Sequence, residues 1–171
     1  MENILDNMSR VMGEYQLKMN TKKTKILVCS RREEAKTKIK IGKQKLVEVD
    51  EFCYLGSRIT SDGRSKKEII SRIAQAKRAF IQKRDLLTAG NLNMEVRKQF
   101  IRTYIWSMFL YGSEAWTMTA AEKARIEAFE MWCDRRMMRI KWIDRVSNEE
   151  VLRRVGVKRS LLKTLNRRRN N

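Results

Sequence analysis

Phosphoryl transfer on two metal ions needs carboxylates gathered at one point. This 171-residue chain contains no Asp-Asp pair, and Asp6 stands in a helical pattern with no second carboxylate beside it. There is no histidine. That excludes histidine-based triads, the HExxH metalloprotease site and zinc sites with a histidine ligand. Cys29, Cys53 and Cys133 show no CxxC spacing. They read as free thiols of a reducing compartment, each a small buried hydrophobe.

The residues that remain for chemistry are cations. The chain carries 39 Lys+Arg against 20 Asp+Glu, a net charge of +19. Such an excess repels itself in a compact fold unless a polyanion neutralises it. Nucleic acid is the leading polyanion, because binding it releases counterions. The basic residues fall in sets: Lys22, Lys23 and Lys25 between a helix and a strand; Arg72, Lys77, Arg78, Lys83 and Arg84 along one helical stretch; then Arg135-Arg136 and Arg167 to Arg169. Phosphate contacts from such residues position a protein without reading sequence; a solvated face is the alternative reading of each set. Trp106, Trp116, Trp132 and Trp142 could stack on bases. Their apolar neighbours at helical spacing assign them to the core instead.

The elements that must position these residues are legible from periodicity. Ile4, Leu5, Met8, Val11 and Met12 predict a helix over Ile4 to Tyr15. Thr24 to Cys29 is a candidate strand. Arg31 to Lys38 is charged and solvent-facing, and Ile39 and Ile41 pair with Leu46, Val47 and Val49 in a hairpin containing Gly42. Phe52 to Thr60 is extended and ends at the turn Ser61-Asp62-Gly63. After Gly63 everything reads as helix. Ile69, Ile73, Ala76, Phe80 and Leu87 form one stripe, with Arg72, Lys77, Lys83 and Arg84 mostly off it. Gly90 ends that helix and Asn93 caps the next. Thr119 with Glu122, and Ser147 with Glu150, form capping boxes. Gly156 sits where a helix stops, and a basic segment follows to Arg169. The fold class is α+β: an N-terminal helix and small antiparallel sheet, then an all-α bundle.

The segment LKMNTKKTKILV resembles the stretch that follows the catalytic Asp-Asp of non-LTR (LINE-type) retrotransposon reverse transcriptases, a Gly-Leu-x-x-Asn-x-x-Lys-Thr pattern. Leu17, Asn20, Lys23, Thr24 and Lys25 match it, and Gln16 stands where the pattern has glycine. VDEFCYLGSRITSDG (Val49 to Gly63) is similar to the Phe-x-Tyr-Leu-Gly segment before the thumb of those enzymes, and EIISRIAQAKRAF (Glu68 to Phe80) to the helix after it. LYGSEAWTMT (Leu110 to Thr119) and KWIDRVSNEEVLRRVG (Lys141 to Gly156) are similar to the C-terminal region. The ordered set covers nearly the whole chain.

The resemblance implies a palm tail over residues 1–62, thumb-like helices over 63–118 and a C-terminal helical extension with a basic tail over 119–171. It implies that the metal-binding aspartates lie before residue 1, so the chain is expected to be a fragment without polymerase activity, metal or cofactor. It places Lys23 near an incoming nucleotide, Tyr54 and Gly56 in a primer-contacting hairpin, and the Arg72 to Arg84 face against a primer-template duplex. Without the active site, Lys23 reads better as a solvated lysine, and Tyr54 and Leu55 read equally well as core beside a turn glycine. The expected partners are RNA, DNA or an RNA–DNA hybrid, bound through phosphates. A helical protein-interaction module and a translated relic without function are the alternatives. The longest apolar region, Tyr104 to Trp116, is too short to span a membrane, and no secretory signal is visible after Met1. No membrane partner is expected, and the location expected is intracellular, in nucleus or cytoplasm.

Overall fold

The computed structural model describes residues 2–30, 38–42, 44–156 and 159–170. The expected solvent-facing stretch Arg31 to Lys38 lies, but for its last residue, outside them. The chain divides into two compact units, Met1–Arg64 and Ser65–Asn171. The α+β class holds: about 58% of the chain is helical and the strands are few and short.

Among the described residues of the first unit, α1 (Glu2–Glu14) precedes six strands: β1 (Lys25–Ile26), β2 (Lys40–Ile41), β3 (Gln44–Lys45), β4 (Val47–Glu48), β5 (Glu51–Tyr54) and β6 (Ser57–Thr60). The single antiparallel sheet expected from sequence is replaced, among the described residues, by three two-stranded pairs. β2 and β3 are antiparallel, as are β5 and β6, whereas β1 and β4 run parallel with Lys25 opposite Val47. Strands this short bury little. The core is Ile39, Ile41 and Leu46, backed by Leu5, Met19 and Ile26. On α1 the stripe residues Ile4, Met8 and Val11 stay exposed.

α1 ends in a tight left-handed turn. The Leu17 N–H donates to the Met12 carbonyl at 2.9 Å, and Gln16 takes φ +58°. Glycine is the residue favoured there, and this chain places Gln16 in that conformation. The next turn is held by Asn20. Its Oδ1 accepts the Lys23 N–H at 3.1 Å, and its carbonyl accepts the Thr24 hydroxyl at 2.9 Å. The Asn-x-x-Lys-Thr spacing thus has a local structural reason.

The second unit is helical: α2 (Lys66–Gln82), α3 (Arg84–Leu87), α4 (Met94–Phe100), α5 (Trp106–Phe109), α6 (Ala120–Met137), α7 (Asn148–Val155) and α8 (Leu161–Asn170). A π turn, Ile101–Ile105, joins α4 to α5 where periodicity predicts unbroken α-helix. Asn93 caps α4 by accepting the Glu95 N–H at 3.1 Å. Glu122 accepts the Thr119 N–H at 2.9 Å, as the capping box requires. The second box forms by half. Ser147 Oγ accepts the Glu150 N–H at 3.2 Å. The Glu150 carboxylate turns to Arg153 and Arg154, which hold its pKa down to about 2.

One core runs through this unit. Ile69, Phe80, Leu87, Ile105 and Phe109 from the earlier helices meet Ile126, Phe129, Met137, Val151, Leu161 and Leu165 from the later ones. Residues on both sides of the 118/119 position contribute to it. Cys133 is buried there, and burial pushes its thiol pKa well up. Cys29 and Cys53 are exposed free thiols, contrary to the expectation that all three cysteines pack as hydrophobes.

The two cores differ in size, so their opening free energies should differ. Amide hydrogen exchange is expected to show weaker protection across residues 2–64 than in α2 and α6. Equal protection in both units would overturn this. Gln16→Gly should relieve the left-handed turn and stabilise the first unit by up to about 1 kcal/mol, read from the denaturant midpoint of its amide signals. An unchanged or lower midpoint would count against strain at residue 16.

Candidate nucleic-acid interface

α6 is the element on which the site is built. Its inward face carries Ile126, Phe129, Cys133 and Met137. Trp132 lies half-buried at the edge of that face, its ring edge-on to Phe80 at 5.2 Å and stacked on Phe129 at 6.5 Å. Arg136, one turn on, holds its guanidinium 4.6 Å from the Trp132 ring centre, and Lys77 of α2 places its ammonium 5.0 Å from the same centre. Cation–π attraction orients both cations.

The chain leaves α6 through an arch. The Ile140 N–H reaches back to the Arg135 carbonyl at 2.9 Å, and Arg139 takes the left-handed position at φ +57°, where glycine is usual. A single 3₁₀ turn, Trp142–Asp144, follows, and the Asp144 carboxylate accepts the Lys141 N–H at 2.7 Å. Arg145 is left-handed in its turn, at φ +49°. Arg135 then ties the far end down, donating to the Val146 carbonyl at 2.6 Å and to Asn148 Oδ1 at 2.9 Å. Pinned at both ends, the arch presents Trp142, 93% exposed, and Ile143, 76% exposed, at its tip.

Between the arch, α6 and the end of α2 runs an open groove of about 840 Å³. Phe80 and Trp132 contribute aromatic lining. Arg84, Arg135, Arg136, Arg139 and Lys141 supply five cations, against the single carboxylate of Asp85. Arg84, Arg139 and Lys141 form no ion pair among the described residues. Five positive groups within roughly a Debye length repel one another, and a phosphate chain would relieve that repulsion.

The expected residues distribute unevenly around this groove. Arg84 lines it and Lys77 borders it through Trp132; Arg78 and Lys83 are exposed on the same helical stretch. Arg72 must be withdrawn from the set. It is buried, its Nε donates to buried Glu68 at 2.7 Å, and it lies 4.8 Å from the Tyr111 ring centre. Lys22, Lys23 and Lys25 are exposed in the first unit. Tyr54 is exposed too, at the tip of the β5–β6 hairpin, where Leu55 and Gly56 take φ of +47° and +80°. The core reading of Tyr54 and Leu55 therefore fails. So does the core reading of Trp142, although Trp106 and Trp116 are buried as expected. Sequence reasoning missed Arg139, Lys141 and Trp142 as a group. The signal available was the alternation of basic and apolar residues in Arg139-Ile-Lys-Trp-Ile143.

Among the described residues no helix is long and apolar enough to cross a membrane. No protein-family model and no solved structure matches this chain. The chain is similar to an uncharacterized protein of Caenorhabditis elegans described as transposon-derived, with 28% identity over 141 residues, covering 80% of this chain and 50% of that protein. This chain thus spans about half the length of that relative, and the similarity points to a transposable-element origin.

On another side of α6 two carboxylates are buried. Glu130 Oε1 accepts the N–H groups of Ser160 and Leu161 at 2.9 and 3.0 Å, capping α8. One turn on, burial pushes the Asp134 pKa from an ordinary 3.8 to about 7, and the charge of Glu130 adds to the rise while Arg102 and Lys98 oppose it. The folded chain therefore holds this proton up to near neutrality, whereas the unfolded chain releases it near pH 4. The stability that the protonated form provides is complete below pH 4 and lost as pH rises through 7. The loss has a ceiling of about 4 kcal/mol. Asp134→Asn should flatten this part of the pH–stability curve of the second unit, measured by denaturant unfolding from pH 5 to pH 8. A slope unchanged by the substitution would assign the pH dependence to other groups.

Proposed function

We propose that this chain is a sequence-nonspecific nucleic-acid-binding protein derived from a non-LTR retrotransposon reverse transcriptase, corresponding to the palm tail and thumb, and that it is not itself a polymerase. The observation that carries the binding part is the groove of the second unit, with five cations against one carboxylate. Its cations converge from α3, α6 and the arch, the geometry of a phosphate-tracking channel rather than of a base-reading surface. The ordered motifs from Leu17 to Gly156 and the transposon-derived relative support the descent. The left-handed turn at Gln16, where the family pattern has glycine, is consistent with it. RNA, DNA or their hybrid would serve as ligand, since phosphates are common to all three.

A second reading has its own observation. Ile4, Met8 and Val11 form an exposed apolar stripe on α1, a face suited to a helical partner. It concerns the first unit and does not compete for the groove.

The test is binding of a labelled RNA–DNA hybrid to the whole chain across a salt series, with the triple variant Arg84→Gln, Arg136→Gln and Arg139→Gln beside it. Affinity should fall steeply with salt and be similar for unrelated sequences. The variant should reduce the slope of log affinity against log salt by about 3, roughly one for each phosphate that loses its cation. Arg135 is left in place because it holds the arch. No binding at low salt, or a slope untouched by the three substitutions, would refute the groove as a phosphate channel.

A further inference from the structure

We infer that Trp142 is a stacking platform for an unpaired base, so that the groove takes single-stranded nucleic acid in preference to duplex. The inference rests on the nucleic-acid reading of the groove and adds to it the form of nucleic acid bound.

Among the described residues of the second unit, Trp142 is the most exposed large apolar side chain, at 93%, with Ile143 beside it at 76%. An indole left in water needs a reason, and here the backbone is organised to keep it there. Two non-glycine residues, Arg139 and Arg145, hold left-handed conformations on either side of the tip. Asp144 closes the turn between them by accepting the Lys141 N–H, and Arg135 clamps the exit through Val146 and Asn148. Left-handed residues of this kind persist only where their surroundings over-determine them. The result is a defined backbone turn that holds the indole of Trp142 in water.

The charge around the tip selects the occupant. Arg139, Lys141 and Arg145 flank Trp142 in sequence, and the groove it borders is lined by Arg84 and Arg136. A neutral apolar partner would have to desolvate these cations without compensation. A nucleotide strand would not: its phosphates meet the cations and its base offers a face to the indole. Duplex is the poorer fit, because its bases are already stacked on one another and present only edges and phosphates. Trp132 cannot take the same role. Lys77 and Arg136 lie over its ring and Phe129 stacks on it. It serves to aim Arg136 instead, while Trp142 has no such cover among the described residues.

The experiment uses the whole chain and fluorescein-labelled probes: an unstructured RNA 12-mer, the DNA strand of the same sequence, and the blunt duplex. Wild type is expected to bind both single strands more tightly than the duplex and to show quenching of tryptophan emission on binding. Trp142→Ala should lose roughly five- to hundredfold in affinity for the single strands, the range for one base–aromatic stack, with duplex affinity unchanged. Trp142→Phe should restore much of the loss. Because the side chain is exposed, the thermal melt of each variant should match wild type. The inference is overturned if Trp142→Ala leaves single-strand affinity unchanged, or if it weakens single strands and duplex alike. The phosphate-channel reading survives either result provided the arginine variant still weakens binding. If neither variant matters, or wild type binds nothing, both fail.

Discussion

The ring of Phe129 meets Phe109 at 5.3 Å on one side and Trp132 at 6.5 Å on another, while Phe109 meets Trp116 edge-on at 5.3 Å. This chain of aromatic contacts fixes α6 against α5, and the rest of the second unit depends on where α6 lies. From α6 come the carboxylate that caps α8, the tryptophan that orients Arg136 and the arginine that clamps the arch. Rings prefer offset and edge contacts over loose sliding, so the helix is held in rotation as well as in depth. Rotation is what matters for the site. A turn of α6 by one residue would carry Arg136 off the groove and bring Glu130 away from Ser160.

Legibility in the sequence follows how local the cause is. Caps at Asn93 and Thr119, the stop at Gly156 and the stripe through Ile69, Ala76 and Phe80 are set by residues within a turn or two, and they are readable. Some failures are local, as where Glu150 turns to Arg153 and Arg154, and others are long-range. Arg72 stands three residues after Ile69 and four before Ala76, on the buried side of α2, where Glu68 neutralises it and Tyr111, far along the chain, lies beside it. Trp142 has apolar neighbours in sequence, but they lie in an arch whose direction is set by Arg135 reaching Val146 and Asn148. No periodicity encodes that. The strands show the same limit. Their alternation is visible, but the parallel pairing of β1 with β4 depends on how the segment between them returns, and pattern alone points to one antiparallel sheet.

The first unit carries two of the five resembling segments and the smaller core. Its Asn20 turn and its left-handed Gln16 show why those positions are constrained: they redirect the chain between α1 and the first strand. Constraint of that kind is about backbone geometry, and it accounts for Asn20 and Thr24 without any ligand. Lys22, Lys23 and Lys25 project from this well-defined turn into solvent, so the turn sets their positions without showing what they meet. The exposed stripe on α1 is a stronger sign of a missing neighbour than the lysines are, since apolar side chains gain by burial and solvated ammonium groups do not.

A net charge of +19 is by itself a statement about solubility and attraction to polyanions. What turns it into a site is where the carboxylates are. Glu68 faces Arg72, Glu127 faces Arg159, Glu150 faces Arg153 and Arg154, and Glu95 faces Lys98. These four acidic residues of the second unit are engaged by cations outside the groove lining. Arg84, Arg136, Arg139 and Lys141 line the groove with Asp85 as the one carboxylate of the lining, while Asp144 is bonded to the Lys141 backbone in the arch. The local ratio of five cations to one carboxylate, more than the number of bases in the chain, is what supports the proposed phosphate channel.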